Sequence, residues 1–293
     1  MTERSDTPDE SSGPELDPRP TGFIAGSLHD LSALVSTTAA FLRAGLLPAL
    51  AAMAVLWAIA ALLVALAIFV GACFSPWVVV VPALTIAGPL AVFGRLAFGE
   101  RLTVSRAISV ALRSVTNLLV NTFALVLVAI GPLVFAALIA FALNPYLLFV
   151  VVPLLLRWAE WAVRYLLADA VVNVGVNGHV DRYHSISIID AHVAPHHALF
   201  LTVELLPLAI LAAASPTPFA QEIVGQAFGT QGQATFLACV GVAAFAVSVI
   251  LGSALAAAAV AVTGLPAHAR VLSTEPSIVL DRRYPTPPSR VAF

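Results

Sequence analysis

Apolar residues run almost without interruption through six stretches of the chain, at about 46–72, 77–98, 117–142, 146–168, 198–214 and 235–263. Each is near the roughly 20 residues that a helix needs to cross the hydrocarbon core of a bilayer. A membrane span must satisfy its own backbone polar groups, which leaves helices or closed barrels, and continuous rather than alternating apolar runs select helices. The pattern predicts an all-α fold, a polytopic membrane protein with six transmembrane helices over residues 27–264.

Three amphipathic segments precede the odd-numbered spans, at a spacing of about 79 residues. The first begins at Ser27, with Leu28, Leu31, Val35, Thr38 and Leu42 on one face. The second begins near Val104, with Ile108, Ala111, Leu112 and Val115, and the third near Ser185, with Ile186, Ile189 and Val193. Spacings of three and four place each set on one helical stripe. Ser27 with Asp30, and Ser187 with Asp190, have the form of a capping box. The unit is a surface helix followed by a helical hairpin, repeated in parallel at about 27–103, 104–183 and 184–264.

Finer marks repeat as well. Ser75-Pro76-Trp77 and Asn144-Pro145-Tyr146 open the second and fourth spans, and the same offset of 69 residues places Arg95 on Arg164 and Glu100 on Asp169. Leu46-Leu47-Pro48 parallels Leu205-Leu206-Pro207. Prolines fall inside spans at Pro82, Pro89, Pro132 and Pro153, where each removes a backbone donor and favours a kink. Ala244, Ser248, Gly252 and Ala256 make a ridge of small residues on the sixth span, suited to a closely approaching helix.

Composition supplies the orientation. The chain is 60% apolar and 10% charged, and Lys is absent, so all basic residues are arginines. Arg43, Arg95, Arg101, Arg106, Arg113, Arg164, Arg182, Arg270, Arg282, Arg283 and Arg290 flank the spans on one side, while Gly71–Pro76, Leu143–Pro145 and Ser215–Ala234 on the other side have no arginine. Basic flanks accumulate on the cytoplasmic side. A multi-pass protein of the cytoplasmic membrane with both termini cytoplasmic is therefore expected. Residues 1–26, rich in Asp, Glu, Pro and Ser, read as a disordered acidic tail with neither the basic nor the apolar region of a secretory signal. Residues 265–293 read as a second flexible tail.

Ionisable residues at membrane depth mark candidate chemistry, because each is costly unless it faces protein, water or a partner. Arg157, Glu160 and Arg164 share one face of the fourth span by their spacing, and Glu204 on the fifth lies at a similar depth. Asn117 and Asn121 open the third span. Two readings stand: a cytoplasm-facing polar cavity for an anionic or zwitterionic ligand, or a charge-paired cluster that orients helices. The amphipathic segments likewise either brace the bundle at the inner interface, or dock a cytoplasmic partner or gate a pore. Arg106, Ser109 and Arg113 form a polar stripe suited to anionic headgroups.

His192, His196 and His197 match one histidine box of the membrane di-iron desaturases in spacing. They are weak metal candidates, since the other histidines form no further box and Pro195 disfavours a shared helix face. Cys73 and Cys239 fall near the outer ends of their spans, where a disulfide is conceivable but packing is the commoner role. No phosphate loop, nucleophile elbow, HExxH or CxxC is present. No catalytic residue, cofactor or nucleic-acid partner is expected.

The amphipathic segment Val104–Thr116 entering a span, and Leu167-Ala-Asp-Ala-Val-Val-Asn-Val-Gly175 leading to another such segment, carry a resemblance. The chain resembles six-helix, repeat-built prokaryotic membrane proteins of unknown function, among them haloarchaeal proteins and the membrane domain attached to some glycerophosphodiester phosphodiesterases. The resemblance spans about residues 25–265 and implies no phosphodiesterase activity, since no catalytic domain accompanies the helices. The function expected is that of a non-enzymatic protein organising or regulating membrane partners or lipids. A small-solute or lipid transporter using Arg157, Glu160 and Glu204 is the alternative, and a histidine-dependent membrane enzyme the third reading.

Overall fold

In the computed structural model the described residues are 23–70, 77–116, 118–119, 138, 153, 168–172, 174–175, 196–214 and 218–266. All their regular structure is helical. Helix α1 spans Phe23–Val70, α2 Trp77–Ala97, α3 104–116, α4 His197–Ala214 and α5 Pro218–Val262, the last broken at Gly229 by a non-helical backbone (φ 68°, ψ 177°). Residues 168–172 are helical too.

Three helices are long and apolar enough to cross a membrane: α1 over Ile24–Phe69, α2 over Val80–Ala97 and α5 over Gly232–Val262. The apolar α4 is shorter. Among the three, α2 is the least hydropathic yet the most enclosed: over the most apolar 18 residues of each, 67% are buried in α2 against 28% in α1 and 11% in α5. That inversion has a physical cause. A lipid-facing helix must be apolar around its circumference, whereas an enclosed one can carry the small residues that let neighbours approach.

Along α2 those residues are Ala83, Ala87, Gly88, Ala91 and Gly94. A β-carbon on Gly88 would lie 2.7 Å from the backbone nitrogen of Met53, so α1 and α2 touch backbone to backbone here. Gly45 faces Leu96, Phe93 and Val92, and Trp57 faces Thr85, so the two helices form an antiparallel hairpin. Helices α4 and α5 form another, in which Gly252 meets the Pro207 ring and Ser248 donates to the Pro207 carbonyl. The predicted small-residue ridge thus meets α4. Gly94 of α2 lies against Val171 and Val174, and Phe98 covers Gly175.

The core gathers at the end where α2 and α5 terminate. Ser253 to Val260 of α5 are buried at every position, and Phe93, Phe200, Leu34 and Leu90 are the bulky side chains around them. Both α2 and α5 stop at a glycine with positive φ, Gly99 (76°) and Gly264 (74°), the left-handed conformation that closes helices with little steric penalty for Gly alone.

Three expectations are corrected. The first amphipathic segment is no separate surface helix: it continues without a break into the span, since nothing between Leu42 and Leu46 stops a helix and the bare face of Gly45 is covered by α2. At about 1.5 Å per residue the combined helix is about 72 Å long, more than twice a hydrocarbon core of about 30 Å. Its buried stripe also differs in part from the predicted one. Thr38 is buried and Leu31 and Leu42 are half-buried against the core as predicted, but Asp30 and Leu34 face inward with them while Leu28 and Val35 are exposed. Finally, 218–228 is helical within a segment expected to be a loop. The expected spans at 117–142 and 146–168 lie almost wholly outside the described residues.

Candidate functional site

Two polar junctions hold the arginine-rich end of the bundle. The first joins α1 to the start of α4. Because α1 begins at Phe23, Ser27 and Asp30 are interior helical residues and do not cap it. Asp30 is buried, and its Oδ2 lies 2.8 Å from His196 Nδ1, with the two side chains 5% and 12% exposed. An ionised carboxylate only accepts, so Nδ1 carries the hydrogen in this contact. His196 immediately precedes α4, and the pair fixes where that helix starts against α1.

The second junction is built by the turn after α2. Glu100 N–H donates to the Arg95 carbonyl (2.9 Å) and Gly99 N–H to the Leu96 carbonyl (2.8 Å), the paired bonds of a Schellman motif. The turn that closes the helix also swings the Glu100 side chain back over it. One carboxylate oxygen accepts from Arg95 Nη1 at 2.9 Å, and the other from Arg106 Nη2 of α3 at 2.6 Å. Charge-assisted bonds of this length are the strong class of hydrogen bond. One acid therefore ties α2, its C-terminal turn and α3 together.

Helix α3 starts at once after this junction, with the Thr103 carbonyl accepting from Ala107 N–H. Ala107, Ala111, Ser114 and Leu118 are buried, while Arg106, Ser109 and Arg113 are exposed, the stripe that the sequence predicts. Leu112, expected on the apolar face, is exposed at its edge. Arg101 is exposed in the turn, and Arg43 is exposed on α1 two residues before Gly45, at the level of Leu96.

Of the other predicted site residues, Arg157, Glu160, Arg164, Asn117, Asn121 and His192 lie outside the described residues. Glu204 is half-buried in α4, and His197 half-buried at its first turn. His196 is held by Asp30, and among the described residues no three His, Cys, Asp or Glu side chains are grouped to hold a metal ion. Cys239 is an exposed free thiol on α5, and Cys73 lies outside the described residues. Asp169, expected from the sequence to match Glu100, is buried.

One polar contact has no antecedent among the predicted sites. Trp57 Nε1 donates to the Thr85 carbonyl at 3.3 Å, and its ring stacks on Phe245 with centroids 5.8 Å apart. Beside it lies an open-sided cavity of about 340 Å³, lined by Trp57, Ala60, Thr85, Gly241, Val242 and Phe245. The signal was present in the sequence: Pro89, four residues after Thr85, withholds the N–H that would have bonded that carbonyl.

Comparison with protein-family models, with curated proteins and with solved structures gave no match.

Proposed function

We propose that this is a non-enzymatic integral protein of the cytoplasmic membrane, built from three parallel repeats with six spans and both termini in the cytoplasm, that organises or regulates membrane lipids or protein partners. The observation that carries it is how ionisable side chains are spent in the described bundle. Asp30 is spent on His196, and Glu100 on Arg95 and Arg106, each joining separate elements, while Arg43, Arg101 and Arg113 face outward at one end. Charges used as joints, with basic side chains left outside, suit a scaffold whose business lies at its surface.

The repeat layout draws support from the two described hairpins. In each, the first helix carries Leu-Leu-Pro (Leu46-Leu47-Pro48 and Leu205-Leu206-Pro207) and the second presents a glycine to it, Gly88 in one and Gly252 in the other. In each, that second helix ends at a left-handed glycine. The offset of 69 residues then sets Arg157 opposite Gly88, a position that in α2 has no room even for a methyl group.

The test is recovery of the intact protein from its native membrane with identification of what co-purifies. A defined lipid or protein partner, retained through exchange into fresh detergent, is the expected result. Reconstituted solute flux that is lost in both Arg157→Ala and Glu204→Ala proteins, each still folded, would replace this proposal with a transporter.

A further inference from the structure

We infer that Arg43, Arg101, Arg106 and Arg113 form a headgroup belt that selects anionic phospholipid from the adjoining leaflet. The inference deepens the proposed function and rests on it for the presence of a membrane around the helices.

Depth comes first. Helix α2 leaves the apolar bundle at Ala97, and only residues 98–103 separate it from α3, so α3 begins where the span ends. Arg43 is set at the same level by the packing of Gly45 on Leu96. Exposed Leu46 and Leu47 follow Arg43 within about one turn. An exposed guanidinium immediately before exposed leucines marks the boundary between headgroups and acyl chains, where long basic side chains reach for phosphate while their stems cover apolar surface. Leu112, exposed between Ser109 and Arg113, gives α3 the same mixed edge.

Charge comes second. Glu100 is the acid nearest this face in sequence, and both of its oxygens are already engaged. Asp30 and Asp169 are buried and Glu204 half-buried, so among the described residues the outward charge of this end is positive. Arg106 keeps 64% of its side chain exposed despite its ion pair. Every basic side chain is Arg in a chain without Lys. Guanidinium binds phosphate in a two-pronged geometry that an ammonium lacks, which suits a lipid phosphate better than diffuse attraction does.

The test uses the full chain in bilayers of phosphatidylcholine containing a minor fraction of phosphatidylglycerol, with spin-labelled lipids reporting the relative occupancy of the protein's surface. Wild type is expected to favour phosphatidylglycerol, and the preference to fall by up to about fivefold for each arginine changed to glutamine, equivalent to about 1 kcal/mol per charge. Arg101→Gln and Arg113→Gln, which break no ion pair among the described residues, keep the test open should the fourfold variant fail to fold. The fourfold Arg→Lys protein should keep the charge and lose only the two-pronged part of the selectivity. Equal occupancy by both lipids in wild type, or a preference unchanged in the folded glutamine variants, overturns the belt. A preference that emerges only when residues 1–22 are deleted assigns the belt to the acidic tail and overturns it as well. Absence of lipid preference alongside a co-purifying protein partner removes the belt and leaves the organising function standing. Flux lost in Arg157→Ala and Glu204→Ala does the reverse.

Discussion

The indole of Trp57 on α1 donates its hydrogen to the backbone carbonyl of Thr85 on α2, 3.3 Å away, at the place where Pro89 leaves that carbonyl without a helical partner. An orphaned carbonyl at membrane depth has no water to turn to. The proline that frees the acceptor thus creates the cross-helix bond. Trp57→Phe keeps the ring and deletes the donor, and is expected to destabilise the protein by about 1–3 kcal/mol. Pro89→Ala returns the missing N–H, so Trp57→Phe in that background should cost less than half as much. Thermal unfolding of the four proteins in detergent measures the coupling. Equal costs in both backgrounds would disconnect Trp57 from the proline.

Gly88 and Gly241 make a matched pair of opposite sign. A methyl group on Gly88 would lie 2.7–3.0 Å from the backbone of Ala52 and Met53, which cannot rotate away, so the α1–α2 hairpin must part. Gly88→Ala is expected to cost about 1–3 kcal/mol, the range for overpacking a filled interior. Gly241 meets nothing within 4 Å, and Gly241→Ala should be neutral or stabilising by up to about 1 kcal/mol through helix propensity alone. The two melting temperatures, measured in the same detergent, check both.

The extent of α2 and α4 was legible because a helix that is apolar around its circumference leaves a continuous apolar run: 77–98 and 198–214 were expected, and Trp77–Ala97 and His197–Ala214 are found. The exposed stripe of Arg106, Ser109 and Arg113 was legible from spacing alone. Local signals misled where a tertiary partner decides. Ser27 and Asp30 imitate a cap, yet Asp30 turns inward because its partner, His196, lies 166 residues away, a separation that no periodicity encodes. The inward stripe of α1 follows Asp30, which is why Leu28 and Val35 fall outside it. That the amphipathic segment and its span form one unbroken helix follows from packing: the bare face of Gly45 is covered by Leu96 and Phe93 of α2.

Asp30 and His196 therefore carry a prediction of their own. Removal of His196 takes a charge-assisted partner from a carboxylate that stays buried, and His196→Ala is expected to cost about 1.5–3 kcal/mol. Replacing both residues by leucine removes the polar groups together and should cost less than His196→Ala alone, since two apolar side chains need no partners. Unfolding by a graded denaturing detergent reads the difference. A double variant weaker than either single one would mean that the pair contributes more than its mutual satisfaction.

Glu100 sets the last expectation, because it restrains the belt that the arginines form. Its carboxylate holds Arg106 at 2.6 Å and Arg95 at 2.9 Å. Glu100→Gln removes one negative charge from this face and releases the exposed guanidinium of Arg106, while the backbone turn through Gly99 still closes α2. Preference for phosphatidylglycerol over phosphatidylcholine should therefore rise, by up to about fivefold for one unit of charge, opposite in sign to the arginine variants. The rise should shrink in high salt, as attraction between exposed charges is screened over about 10 Å at 0.1 M ionic strength. It should vanish in Glu100→Gln/Arg106→Gln, where the exposed guanidinium is gone and the Arg95 that Glu100 also held is buried. A rise that survives loss of Arg106 would place the gain elsewhere than in the freed arginine.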